Sequence, residues 1–180
     1  MYKRQIDGTM NFVHQQRNFA ISIGIIENGI GQIGLIYDVV HDELYHSIKG
    51  SGAFLNDKEI PKIKEVPLSE SIIGLNPIWL TDNKKIDKEL TERLVKEVRG
   101  TRSYGSAALE IAYVATGRMN AYISMRLAPW DFAGGAVIIE ELGGKVTDLQ
   151  GNPIHFLKKS SFLVATPVLH KRIVDEYLSY

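Results

Sequence analysis

The sequence contains no cysteine, which excludes disulfides, thiolate metal sites and a cysteine nucleophile. It has no surplus of charge: 21 Lys and Arg stand against 21 Asp and Glu. Without a basic excess, a nucleic-acid partner is not expected, and without an acidic tail neither is a basic one. No apolar run approaches the roughly 18 residues of a membrane span. No charged-then-apolar leader opens the chain either, so no membrane association is expected and the cytoplasm is the expected compartment. Internal repeats and low-complexity stretches are also missing. What is present is ordinary globular composition, 180 residues with 44% hydrophobic and 23% charged side chains. That suffices for one compact domain with a substantial core, or for two small halves sharing one.

Two patterns follow one another along the chain. Residues 19–60 alternate as short strands, Phe19–Ile26, Gly31–Val39, Glu43–Lys49 and Ala53–Leu55. Turn-prone Glu27-Asn28-Gly29, Val40-His41-Asp42, Lys49-Gly50-Ser51-Gly52 and Asn56-Asp57-Lys58 punctuate them, which predicts an antiparallel meander. Thr9–Gln16, feeding the meander, predicts a short helix. From Glu70 onward strands alternate with helices. Strands are expected at Ser71–Leu75, Thr101–Tyr104, Ala121–Ser124, Lys145–Asp148 and Phe162–Thr166, and helices at Lys85–Val98, Ser106–Thr116, Asp131–Leu142 and Val168–Tyr180. Ile86, Leu90, Leu94 and Val98 share one helical face, and Gly117 and Gly143-Gly144 are natural helix stops. A mixed sheet with helices on its faces is the expected product. The expected subdivision is 1–70, an antiparallel-sheet subdomain, and 71–180, an α/β subdomain.

Two segments carry chemistry. Ile6-Asp7-Gly8-Thr9-Met10-Asn11-Phe12-Val13-His14 places a carboxylate before a Gly-Thr pair and a helix start. Pro129-Trp130-Asp131-Phe132-Ala133-Gly134-Gly135 repeats the logic far downstream. Each Asp stands at a strand-to-helix transition, where loops gather at one sheet edge, so the two can converge. Magnesium takes hard oxygen ligands and keeps several waters, so a few carboxylates and a substrate phosphate can hold it. Such ions activate water and stabilise a leaving oxygen. Gly8 permits close backbone approach, the amides of Gly8 and Thr9 would face an anion, and the Thr9 hydroxyl can orient a water. A magnesium-dependent phosphatase is the reading. Singly, each piece has a plainer one: Asp-Gly-Thr is a common turn, Asp is a favoured N-cap, and Trp130-Asp131 can be a packed Trp beside a capping Asp. His14, His41, His46, His155 and His170 lack metal-ligand spacing and read as surface or capping residues.

Taken together, Ile-Asp-Gly-Thr-x-Asn-Phe-Val-His and Pro-Trp-Asp-x-Ala-Gly-Gly resemble the two signatures of the inositol monophosphatase family. Gly52-Ala53-Phe54-Leu55-Asn56, Arg102-Ser103-Tyr104-Gly105-Ser106-Ala107-Ala108-Leu109, Ala115-Thr116-Gly117 and Glu141-Leu142-Gly143-Gly144 are similar to it as well. The resemblance implies a layered αβαβα sandwich of the α+β kind, with its first part missing here. It implies Mg2+ as cofactor, held by Asp7, Asp131 and the Ile6 carbonyl. Gly8 and Thr9 would bind phosphate, Thr9 also positioning the attacking water, and Gly105, Ser106 and Ala107 would line the substrate hydroxyls. For Ser106 a plain N-cap is the alternative. The implied substrate is a small-molecule phosphate ester, inositol monophosphate or a related sugar phosphate, and a homodimer is possible by the same resemblance.

The sequence departs from the family in three places. Arg4-Gln5 stand where the family has Asp-Pro, and a guanidinium cannot ligate magnesium. Only five residues precede Ile6, so the family's upstream Glu-Glu pair has no counterpart. Ser124 takes the place of a Glu that contacts an inositol hydroxyl, and nearby Arg126 either favours a more anionic substrate or is a solvated surface residue. Met1–Gln5 also reads as too polar for the central strand the family places there. The expectation is a truncated phosphatase of low activity, with an exposed apolar patch on the meander. Fructose-1,6-bisphosphatase or nucleotide 3′-phosphatase action is the alternative within the class. A degenerate paralogue that binds a partner or metabolite without turnover is the non-catalytic alternative.

Overall fold

A computed structural model describes residues 1–81 and 86–178. The predicted helix start at Lys85, the predicted helix end at Tyr180 and the side chains of Arg4 and Gln5 lie outside the described residues. The first sheet is antiparallel and ordered as in the chain: β1 (Tyr2–Asp7), β2 (Ala20–Glu27), β3 (Ile30–Asp38), β4 (Glu43–Ile48), β5 (Ala53–Leu55) and β6 (Lys58–Glu59). Its β2–β3 turn is Asn28-Gly29, both residues with positive φ, the two-residue hairpin geometry that Asn-Gly favours. The segment read as too polar for a central strand is a strand, and it stands at the end of the sheet. Tyr2, Lys3 and Arg4 pair with Gly24, Ile23 and Ser22, a bulge follows, and Asp7 pairs with Ala20. Among the described residues β1 pairs with β2 alone, and an edge tolerates the charged residues a central strand does not.

The second sheet is mixed, in the order β10 (Lys145–Thr147), β11 (Ser160–Ala165), β9 (Ala121–Leu127), β7 (Ile72–Leu75) and β8 (Gly100–Arg102). Strand β7 runs parallel to both β8 and β9, the others antiparallel. Between the sheets lie α3 (Ala107–Ala115) and α4 (Pro129–Glu141), while α2 (Lys88–Glu97) and α5 (Pro167–Ile173), continued by a π turn to Leu178, cover the far face of the second sheet. The layers are therefore sheet, helix, sheet, helix. Every residue of α3 is buried, as expected for a helix apolar all round. One of the central side chains is Phe132, fully buried with Phe156 and Phe162 rings 6.1 and 5.4 Å away. Burying one such ring contributes about 2–3 kcal/mol.

The pleat of the first sheet divides its side chains. Ala20, Ser22, Ile36, Tyr45 and Ser47 are buried toward the helices. On the opposite face the register aligns Ile21 with Tyr37 and Leu44, Ile23 with Leu35, His46 and Phe54, and Ile25 with Ile33 and Ile48. None of these ten is buried, Ile48 being exposed and the others half-buried, so this face lies open where the apolar patch is expected. Among the described residues, no helix is long and apolar enough to cross a membrane.

Candidate active site

The Ala133-Gly134-Gly135 run of the second motif sets where α4 lies. A Cβ on Gly134 would sit 2.6 Å from the Ile23 carbonyl and 2.9 Å from that of Leu35, and one on Gly135 would sit 2.5 Å from Ile111 Cγ2. Only glycine lets this helix approach the first sheet and α3 so closely, and that approach fixes the first turn carrying Asp131. Here Asp131 Oδ2 accepts from the Ala128 amide at 2.9 Å, capping the helix start. The plainer, capping reading of this residue describes what its Oδ2 does, while Trp130 beside it is 40% exposed.

The first motif approaches the same place from β1. Gly8 is left-handed (φ 80°) and a Cβ there would meet the Asn18 carbonyl at 2.7 Å and Ser106 Cβ at 3.2 Å. That contact brings the α1 start (Thr9–His14) against the start of α3. Asp7, buried, accepts at Oδ2 from Ser106 Oγ (2.6 Å) and from the Ala108 amide (2.8 Å). Charge-assisted bonds of this kind are among the stronger in proteins, so the carboxylate is held in one direction. Ser106 Oγ meanwhile accepts from the Leu109 amide at 3.4 Å as the N-cap of α3, so capping and contact with Asp7 coexist in one hydroxyl.

A cavity of about 240 Å3 opens between these elements. Of the residues singled out in the sequence, Asp7, Gly105, Ser106, Ala107, Ser124, Arg126 and Asp131 line it. Ser124 is buried and Arg126 exposed at the rim. Ile6, Gly8 and Thr9 do not line it: the Thr9 hydroxyl is turned to the Ile6 carbonyl, donating at 3.2 Å. Larger clefts of 490, 540 and 370 Å3 contain neither motif.

The same walls include Glu110, Tyr122, Asn76 and Trp79, to which the motifs did not point. Glu110 is the one with a sequence signal, an acid in the otherwise apolar Ala-Ala-Leu-Glu-Ile-Ala-Tyr-Val-Ala. It is 3% exposed, and burial pushes its carboxyl up to about 7, against the opposing pull of the Tyr104 and Gly105 amides and with a smaller push from the Asp7 charge. Tyr122 is raised well above its ordinary value, first by burial and then by the Glu110 charge. Another unforeseen residue is Asn11, whose Nδ2 donates to the carbonyls of Asn18 (2.8 Å) and Tyr104 (2.6 Å). Of the histidines, His170 corrects the surface reading: it is 1% exposed, bonded through Nε2 to Thr147 Oγ1 at 2.7 Å, and burial lowers it to about 4. It lies outside the cavity.

The donor set suits a hard cation in kind, since three carboxylates, Asp7, Glu110 and Asp131, line one cavity and magnesium takes oxygen. In number it is incomplete: among the described residues no three His, Asp or Glu side chains gather so as to hold a metal ion.

Comparison with known proteins agrees with this arrangement. The model of the inositol monophosphatase family matches residues 6–179. Over 173 residues the chain is 60% identical to the inositol-1-monophosphatase of Bacillus subtilis (strain 168), covering 96% of this chain and 65% of that protein. It is 36% identical over 169 residues to the fructose-1,6-bisphosphatase/inositol-1-monophosphatase of Thermotoga maritima, covering 94% of this chain and 64% of that one. The chain thus spans about two thirds of the length of these relatives. A crystal structure of inositol monophosphatase-II from Staphylococcus aureus matches with TM-score 0.94 at 47% identity, covering 98% of this chain and 67% of that one. That enzyme has also been crystallised with inositol monophosphate and with 2′AMP bound. From its two motifs, its layered fold and these matches, the chain belongs to the inositol monophosphatase family.

Proposed function

We propose that the chain carries the larger part of the active site of a magnesium-dependent phosphate monoester hydrolase, acting on inositol monophosphate or a related sugar phosphate. The observation that carries this reading is the convergence of Asp7 and Asp131, from two sheets and two helix starts, on one cavity. Asp7, Asp131 and the Ile6 carbonyl would hold Mg2+, which when bound supplies a lowered water pKa and a counter-charge for the phosphoryl oxygens. Asp7 is pre-aimed by Ser106 and Ala108. The amides of Gly8 and Thr9 would take the phosphate, and the Thr9 hydroxyl, released from Ile6, would orient the attacking water. Gly105, Ser106, Ala107 and Ser124 would meet the hydroxyls of the leaving alcohol. Attack is in line, with no cysteine to form a covalent intermediate.

Arg126 at the rim and the neutral Ser124 suit an anionic leaving group better than a neutral one, which keeps a sugar bisphosphate or a nucleotide within the substrate class. The 2′AMP-bound structure of the related staphylococcal enzyme supports that breadth. With no three His, Asp or Glu side chains gathered to hold a metal among the described residues, the 180 residues by themselves have low turnover in this reading. The family's reported Mg2+ and phosphate complex supports the metal but not the activity of this chain. The test is phosphate release from inositol 1-phosphate, fructose 1,6-bisphosphate and 2′AMP, with and without Mg2+, beside Asp131→Asn. Slow, metal-dependent release abolished in the variant is expected. Release unaffected by Mg2+ or by the substitution overturns the reading. Release from none of the substrates, with no metal binding that depends on Asp131, favours the paralogue that only binds.

A further inference from the structure

Glu110 is the fourth residue of α3, and it is the only charged side chain in a helix buried on every face. A buried carboxylate is costly unless its oxygens are matched, and only one of them is. Oε1 accepts from two amides, Tyr104 at 2.8 Å and Gly105 at 3.1 Å. Oε2 has no hydrogen-bond partner and lies where a Cβ on Gly74 of β7 would come within 2.6 Å. These bonds do not cap the helix, because Ser106 already does so. They reach past the cap, to the turn that enters it.

The same turn is held from the other side. The 104–105 peptide gives its N–H, that of Gly105, to Glu110 and accepts at its Tyr104 carbonyl from Asn11 Nδ2 at 2.6 Å, so it is clamped between α3 and α1. Gly105, left-handed at φ +76°, then turns the chain into Ser106. Ser106 Oγ and the Ala108 amide are the two donors that aim Asp7. We propose that Glu110 is a positioning residue for Asp7: by clamping the 104–105 turn it sets where Ser106 and Ala108 stand, and hence the direction in which Asp7 presents its carboxylate to a cation. Asn11 is its counterpart across the turn. The inference rests on the reading of Asp7 as a metal-holding group. Groups that orient ligands commonly govern metal affinity by 10–100-fold without touching the ion.

The test uses the whole chain as wild type, Glu110→Gln, Glu110→Leu, Asn11→Ala and Asp7→Asn. Mn2+ affinity is measured by calorimetry, the Ala108 amide shift by 15N–1H spectra without metal, and folding by thermal unfolding. Glu110→Gln keeps an acceptor for both amides, so Mn2+ affinity and the Ala108 shift stay near wild type. Glu110→Leu fills the space and removes the clamp. Its Mn2+ affinity falls by about 10–100-fold and the Ala108 amide moves, although residue 108 is unchanged and the chain stays folded. Wild-type affinity and an unmoved Ala108 amide in Glu110→Leu overturn the proposal. If Glu110→Leu does not fold, Asn11→Ala decides, since it frees the same peptide and should move the same amide. If Asp7→Asn binds Mn2+ as the wild type does, or the wild type binds none, the metal reading of Asp7 fails. The Ala108 shift then still decides whether Glu110 positions Asp7.

Discussion

Replacing Glu110 by Gln should change how stability depends on pH, and the size of the change follows from burial. The carboxyl titrates near 4.5 when exposed and about 7 in the fold, chiefly because burial disfavours its ionised form. A folded pKa above the unfolded one means that the native state binds the proton more tightly. The associated stability is therefore fully present below about 4.5 and is lost as pH rises through about 7. The interval between those values corresponds to about 3 kcal/mol lost on reaching pH 8, at 1.36 kcal/mol per unit. Gln cannot ionise and retains an acceptor for the Tyr104 and Gly105 amides, so the variant escapes this loss. The assay is urea unfolding followed by the fluorescence of Trp79 and Trp130 at several pH values from 4.5 to 8. The measured quantity is the stability of Glu110→Gln minus that of wild type. Any constant offset from placing an NH2 against Gly74 cancels from its pH dependence, as do other titrating groups such as His170. The difference should rise in favour of the variant across this range, most steeply between pH 5 and 7. A flat difference would refute the claim that burial dominates this carboxyl, and a falling one would show that the two amides outweigh it.

Two further outcomes are expected. Gly34→Ala should destabilise by about 3 kcal/mol in the same urea assay, because the new methyl would lie 2.1 Å from the Gly134 carbonyl and force α4 off the first sheet. An unchanged midpoint would show that this interface yields. Arg118→Met removes both contacts to Glu43 and the 2.9 Å bond to the Tyr45 hydroxyl. Because the guanidinium lowers Glu43 to about 2, its contribution is present above 4.5 and disappears as pH falls toward 2. With the Arg118 side chain 44% exposed, the cost near neutral pH is about 1 kcal/mol. A cost that does not shrink in acid would point to lost packing on Tyr113 instead, whose ring lies 5.5 Å from the guanidinium.

The two chemical motifs and most elements were legible in the sequence because their causes are local. Alternation and Asn-Gly specify the β2–β3 hairpin, and Ser106, Gly117 and Gly143 bound α3 and α4 through caps that span a few residues. Family likeness was legible for the same reason, in short contiguous strings. Tertiary structure alone decided the rest. Whether Tyr2–Asp7 forms a strand depends on β2 being beside it, and its polarity, which speaks against a central strand, is compatible with a strand that has one described partner. Thr9 reads as facing an anion from its place in the motif, yet the folded turn directs its hydroxyl to Ile6. Asp131 and Asp7 could each have been an ordinary turn or cap, and what sets them apart is the close approach that Gly134, Gly135 and Gly8 allow. Glu110 belongs to no motif and Asn11, though inside the first, has no role that the motif alone assigns, since their partners at 104–105 and 18 are met only once α1 and α3 are packed. The sequence by itself determined which groups the protein has and where its chain turns. Which of them stand within hydrogen-bonding distance, and which are stripped of water, was decided by packing, because burial and distance are properties of the assembled layers and of no single segment.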